Sequence, residues 1–187
     1  MRGEGKEGFE DVIPPLGIVS VCAIYDLPIL VQTHGDVEAY REFTAGAFGE
    51  DEGVWEGVSP SRWGSYGESW NSGGEEEEES SGGSVRKEGK RKKGSVAVLA
   101  HSRDDELVDW GQLVAMEDTL RKQQQQQQQQ QRSKQGNGSA AWRGDIQVLE
   151  LKGKHNEVWR QGVEMARAIR AALDMLAGGG EPALRLS

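Results

Sequence analysis

Three short apolar runs, each followed by a stretch of helical spacing, constrain the fold of this chain most tightly. Leu16 to Ile24 (LGIVSVCAI), Ser95 to Ala100 (SVAVLA) and Asp145 to Leu151 (DIQVLEL) have the length and composition of strands. The first is nearly continuous in its apolarity, as a strand covered on both faces must be. Asp36 to Phe48, Asp105 to Lys122 and Asn156 to Ala177 repeat apolar residues at helical intervals. The order strand, helix, strand, helix, strand, helix implies an α/β fold, a parallel sheet with right-handed crossovers. In such sheets chemistry gathers at the carboxyl ends of the strands.

The remaining sequence is polar and repetitive. Residues 1–15 read as an irregular lead-in closed by Pro14-Pro15, and Tyr25-Asp26-Leu27-Pro28 reads as the end of the first strand. A domain over 16–177 carries two insertions expected to be disordered. One spans 64–94, with an acidic run from Glu75 to Glu79 and a basic run from Arg86 to Lys93. The other spans 123–144 and opens with the polyglutamine tract Gln123 to Gln131. Gly178 to Gly180 end the last helix, and 178–187 read as a flexible tail. With these set aside, about 110 residues remain to build a core, a size at which stability is marginal.

Charge and composition narrow the partners. A net charge of −9 argues against nucleic acid or an anionic membrane, and the basic run reads as part of a charged surface insertion. The segment MRGEGKEGFED has no apolar signal region, and no run approaches the roughly 18–20 apolar residues of a membrane span, so a soluble cytoplasmic protein is expected. One cysteine, Cys22, leaves no internal disulfide; in its apolar run it reads as a buried small residue. His34, His101 and His155 show no H-x-x-x-H spacing and no cysteine partner, so no metal site is read from them. The oligomeric state is left open.

The second strand runs into His101-Ser102-Arg103-Asp104-Asp105-Glu106 and the third into Lys152-Gly153-Lys154-His155. Neighbouring strands lie about 4.8 Å apart, so a carboxylate on one loop can reach an imidazole on the next. That pairing fixes the imidazole tautomer and stabilises the imidazolium formed when the ring takes a proton. A solvated loop acid beside a surface histidine is the plain alternative.

Acid then histidine, each after a late strand, resembles the α/β-hydrolase fold, in which the chain order is Ser, Asp/Glu, His. HSRDDELV resembles that fold's acid loop and maps the acid to Asp105 rather than Asp104; KGKHNEVW resembles its histidine loop and gives His155. More narrowly, AIYDLPILV with AYREFTAGAFGEDEGVWEGVSP, then HSRDDELVDWGQ, then LELKGKHNEVW resemble fungal kynurenine formamidases (arylformamidases). Ala23 stands where that family would have glycine. The resemblance implies hydrolysis of N-formyl-L-kynurenine to L-kynurenine and formate in tryptophan breakdown. It makes His155 the general base and then acid, and Asp105 the residue that orients it. Tyr25 and Asp26 would lie near the pocket, and no cofactor is implied.

Such enzymes need a G-x-S-x-G elbow and an HGG-type oxyanion loop. The 187 residues contain neither. Gly64-Ser65-Tyr66-Gly67 and Asn137-Gly138-Ser139 lack the glycine two before the serine, and His34-Gly35-Asp36 is not an oxyanion loop. The chain is therefore read as the C-terminal portion of such a hydrolase: inactive by itself, with a bare sheet edge and low stability alone. Two other functions fit the same residues. One is a fragment of an esterase or lipase-like enzyme of the same fold. The other is a non-catalytic protein that uses its insertions as contact segments.

Overall fold

A computed structural model describes residues 15–64, 66, 95–132 and 144–178. It contains a three-stranded parallel sheet flanked by helices, the α/β arrangement expected from the strand–helix alternation. The strands are β1 (Gly17–Val21), β2 (Val96–Ser102) and β3 (Asp145–Leu151), in the order β1-β2-β3. The helices are α1 (Leu27–Thr33), α2 (Glu38–Phe48), α3 (Glu52–Val58), α4 (Trp110–Arg132), α5 (His155–Gln161) and α6 (Val163–Leu176). A single 3-10 turn, Pro60–Arg62, follows α3.

Every residue of β2 is buried, because it is the central strand and both of its faces are covered. Val96, Val98 and Ala100 point to one face and pack with Val158 of α5 and Ala168 and Ala172 of α6. Ala97 and Leu99 point to the other and meet Leu113, Met116 and Leu120 of α4. Alternating side chains that are apolar on both sides give the near-continuous apolar run seen in the sequence. At the β1 edge, by contrast, Leu16 and Ile18 are exposed.

Several boundaries differ from the sequence reading. The first strand stops at Val21, because Cys22 takes a positive φ of 47° that an extended strand does not accommodate. Pro28 does not end an element but sits in the first turn of α1, where its missing N–H costs nothing; Asp26 caps that helix, its Oδ1 accepting from the Ile29 N–H at 2.9 Å. Helix α3 is an addition to the sequence pattern: it is seven residues long, with Asp51 as its cap. The second predicted helix begins at Trp110 rather than Asp105, because the Asp105 carboxylate holds the preceding residues in a turn. The last is broken into α5 and α6 by Gly162, whose φ of 72° is one that glycine adopts without steric cost.

The glutamine tract is also corrected. Helix α4 continues through Gln123 to Gln131 and ends at Arg132, where an insertion was expected from residue 123. Glutamine is a good helix former, and here the tract extends a helix already nucleated on the sheet. Gln123 is buried and anchored, donating to the Trp63 carbonyl at 3.0 Å and accepting from the Tyr66 N–H at 3.1 Å. The charged runs of 75–79 and 86–93, the lead-in through residue 14, residues 133–143 and the tail from 179 lie outside the described residues.

One buried side chain ties the loop after β1 to α4. Gln112 Oε1 accepts from the N–H groups of both Tyr25 and Asp26 at 2.8 Å, and its Nε2 donates to the Asp26 carbonyl at 3.0 Å. The two N–H groups would otherwise be buried unpaired, each at a cost of about 1–3 kcal/mol, whereas the Asp26 carbonyl also accepts from the Leu30 N–H at 3.0 Å. Among the described residues no helix is long and apolar enough to cross a membrane.

Candidate active site

Strands β2 and β3 end level with one another, Ser102 opposite Leu151, so their following loops leave the sheet side by side. The Ser102 hydroxyl fastens them together: it donates to the Gly153 carbonyl at 2.6 Å and accepts from the Asp104 N–H at 3.1 Å. Gly153 has φ 98°, and a Cβ there would also stand 3.0 Å from Glu157 Oε2. That carboxylate accepts from the Lys154 N–H at 2.9 Å and closes the first turn of α5, with His155 as its first residue.

Asp105 and His155 meet across these loops. His155 Nδ1 and Asp105 Oδ2 are 2.8 Å apart. The other carboxylate oxygen, Oδ1, accepts from the N–H groups of Leu107 at 3.0 Å and Val108 at 2.9 Å. The Asp105 side chain has no exposed surface, while that of His155 is 21% exposed. Burial alone would raise the Asp105 pKa. The hydrogen bonds from the Val108 N–H, His155, the Leu107 N–H and Cys22 outweigh it and hold the carboxyl below its ordinary value. An ionised carboxylate only accepts, so the ring carries its hydrogen on Nδ1, and Nε2 is its basic nitrogen. A second carboxylate, of Glu106, accepts from the His155 main-chain N–H at 3.2 Å and fixes the start of α5 against the acid loop.

The other histidines do not join this pair at hydrogen-bonding distance. His101 is fully buried, its Nε2 2.8 Å from the Val108 carbonyl and 4.0 Å from Asp105 Oδ2. His34 stacks on Tyr40 with ring centroids 4.1 Å apart, and its Nε2 lies 3.9 Å from Asp109. Asp104, the rejected neighbour of Asp105, is exposed.

His155 opens onto a cavity of about 910 Å³ walled largely by apolar side chains, among them Ile24, Leu30, Val37, Phe43, Leu107 and Trp159. Val37, Phe43, Leu107 and Trp159 are each more than 40% exposed, so the rim is apolar and open. Tyr25 and Asp26, expected near the pocket, do not line it. Tyr25 packs into the sheet face under α4, and Asp26 faces Ser61 and Arg62. A main chain that turns at Cys22 directs Cys22 and Ile24 to the cavity and Tyr25 to the opposite side.

Cys22 is the site residue whose place sequence reasoning missed. It is buried, as a small apolar residue would be, yet its thiol stands against the Asp105 carboxylate. Burial pushes its pKa up to about 12, the Ser102 backbone contact lowers it, and Asp105 raises it, so the thiol stays protonated. A thiol held that way is a poor nucleophile.

Asp26 belongs to a separate buried network. Its Oδ2 accepts from the Ser61 hydroxyl and from Arg62 Nε, both at 2.8 Å. Burial raises its pKa, but the bonds from Arg62, the Ile29 N–H and Ser61 outweigh that and leave it below 3.8. Asp26 and Asp105 both have folded-state values below their unfolded ones. Their stabilisation is therefore complete above the unfolded value and is lost as pH falls through the folded one. Melting curves of the chain are expected to change little from neutral pH down to about pH 5 and to fall below about pH 4 on account of these groups. Asp26→Asn removes the Asp26 share of that acid dependence.

No family model matches the sequence. The chain is 28% identical over 162 residues to a kynurenine formamidase-like hydrolase, fscH, of Fusarium equiseti, a match that covers 87% of this chain and 42% of that protein. The chain is thus a distant relative of a hydrolase and spans less than half of that relative's length. No solved structure matches.

Proposed function

We propose that Asp105 and His155 are the acid and histidine of a serine hydrolase of the kynurenine formamidase type. The single observation that carries this is the 2.8 Å contact between a buried, ionised carboxylate and an imidazole beside an apolar cavity, on the loops after adjacent parallel strands. The relationship to a kynurenine formamidase-like hydrolase supports the same reading.

In the proposed reaction a serine Oγ attacks the formyl carbon of N-formyl-L-kynurenine while His155 Nε2 takes the hydroxyl proton. The imidazolium, stabilised by Asp105, returns that proton to the departing aryl nitrogen, releasing L-kynurenine. Water activated by the same nitrogen then frees formate. An aromatic amide suits walls built from Ile24, Leu30, Phe43 and Trp159. The 187 residues hold no G-x-S-x-G, so the serine and the oxyanion donors are supplied from outside them.

The test is a substrate comparison on the chain joined to an upstream hydrolase segment that carries G-x-S-x-G. Formyl-kynurenine is expected to be turned over with a higher kcat/KM than short-chain esters. A preference for the esters would assign the site to an esterase instead.

A further inference from the structure

The proposed mechanism gives Cys22 no task, yet its placement is unusual. It follows β1 at a positive φ of 47°, a conformation uncommon for a side chain other than glycine, asparagine or aspartate. Its main chain is held there by a 2.9 Å bond from its N–H to the Ala100 carbonyl. The effect is to turn the thiol toward the acid–histidine pair. The Cys22 sulfur, an Asp105 oxygen and a His155 ring nitrogen all lie within 4.8 Å of one another. Cys22 and His155 also both line the cavity, which gives a path from solvent and room for a further ligand.

Sulfur, imidazole nitrogen and carboxylate oxygen form a donor set matched to zinc-class cations. Such an ion takes S at about 2.3 Å, N at about 2.0–2.1 Å and O at about 2.0–2.2 Å in a tetrahedron, and three protein ligands leave one position open. Ligand atoms around such an ion stand about 3.5 Å apart, as those bond lengths and a tetrahedral angle require. The donors therefore stand within about 1.3 Å of liganding separation. Closing the site asks the 2.8 Å Asp105–His155 contact to widen by about 0.7 Å and the donors that stand up to 4.8 Å apart to draw in by up to about 1.3 Å.

We infer that Cys22, Asp105 and His155 form a binding site for a thiophilic divalent cation such as Zn²⁺, whose occupancy switches the acid–histidine pair off. The steps balance. Cys22 loses its thiol proton to solvent and binds as thiolate. His155 gives its Nδ1 lone pair to the ion, its ring proton relocating to Nε2. The fourth position, facing the cavity, takes water. The imidazole then has no basic nitrogen left to deprotonate a serine, and Asp105 binds the ion in place of the ring. The inhibitory half rests on the function proposed above; the binding half rests on the donor geometry alone.

Binding is tested on the chain as it stands, with Co²⁺ as a spectroscopic probe. Titration is expected to give a thiolate-to-cobalt charge-transfer band in the near ultraviolet with tetrahedral visible bands, saturating at one ion per chain and abolished by Zn²⁺. Cys22→Ser is expected to lose the ultraviolet band. His155→Ala, at a partly exposed position, is expected to keep the fold and weaken binding by more than about tenfold. Absence of the thiolate band in the unsubstituted chain overturns the site, as does binding unchanged by His155→Ala. In the enzyme completed with a nucleophile segment, saturating Zn²⁺ is expected to abolish hydrolysis reversibly by chelator. Full activity with the ion bound would leave the site standing and overturn the switch.

Discussion

His155→Ala is expected to lower kcat by a factor on the order of 10⁶ in the chain completed with a nucleophile segment, the size of loss seen when the histidine of a serine-hydrolase triad is removed. The effect is large because the nucleophile is useless without its base: serine's hydroxyl is weak until a nitrogen takes its proton in the transition state. KM should change little, since His155 is one residue in a wall otherwise supplied by apolar side chains. Folding should survive, because the side chain is partly exposed and its strongest contact is with Asp105. Steady-state kinetics on formyl-kynurenine, with circular dichroism on the variant, separate the two effects.

Asp105→Asn is the second large effect, a fall of about 10⁴ in kcat, and its cause is different. The asparagine oxygen can still accept from the Leu107 and Val108 N–H groups, so the acid loop keeps its turn. Its amide nitrogen then faces His155 Nδ1 and donates to it. The ring must carry its hydrogen on Nε2, the wrong tautomer for a base. Asp105→Ala, by contrast, also leaves those two backbone donors without their acceptor, so it is expected to lose stability as well as activity. A variant pair in which the asparagine form melts close to the parent while the alanine form does not would locate the role of each carboxylate oxygen.

The parts of this site legible in the sequence are those that depend on local pattern. Alternating and continuous apolar runs located all three strands, and the residues after β2 and β3 marked the acid and histidine loops. Their level ends follow from the parallel register, so the strand pattern alone leads one to expect Asp105 and His155 near each other. What escaped the sequence depends on long-range contacts. Gln112 reads as an unremarked polar residue on α4, but it sits fully buried because two N–H groups 86 and 87 residues away need it. The helicity of the glutamine tract depends on Gln123 reaching Trp63 and Tyr66. Cys22 lies in an apolar run that predicts burial but not direction; the positive φ that aims its thiol has no local signal, since cysteine has no particular preference for it. Apolar periodicity also overstates what is covered: Ala168 and Ala172 of α6 are buried, while Val163, Ile169 and Leu173 stand exposed.

The central claim is that Asp105 and His155 activate a serine that these 187 residues do not contain. A fluorophosphonate probe, which reacts only with an activated serine, reads this without assuming any substrate. The chain alone is expected to remain unlabelled. The chain joined to an upstream segment bearing G-x-S-x-G is expected to be labelled on that serine, and His155→Ala to abolish the labelling. Labelling of the 187-residue chain on one of its own serines, or labelling of the completed protein that persists in His155→Ala, would contradict the account.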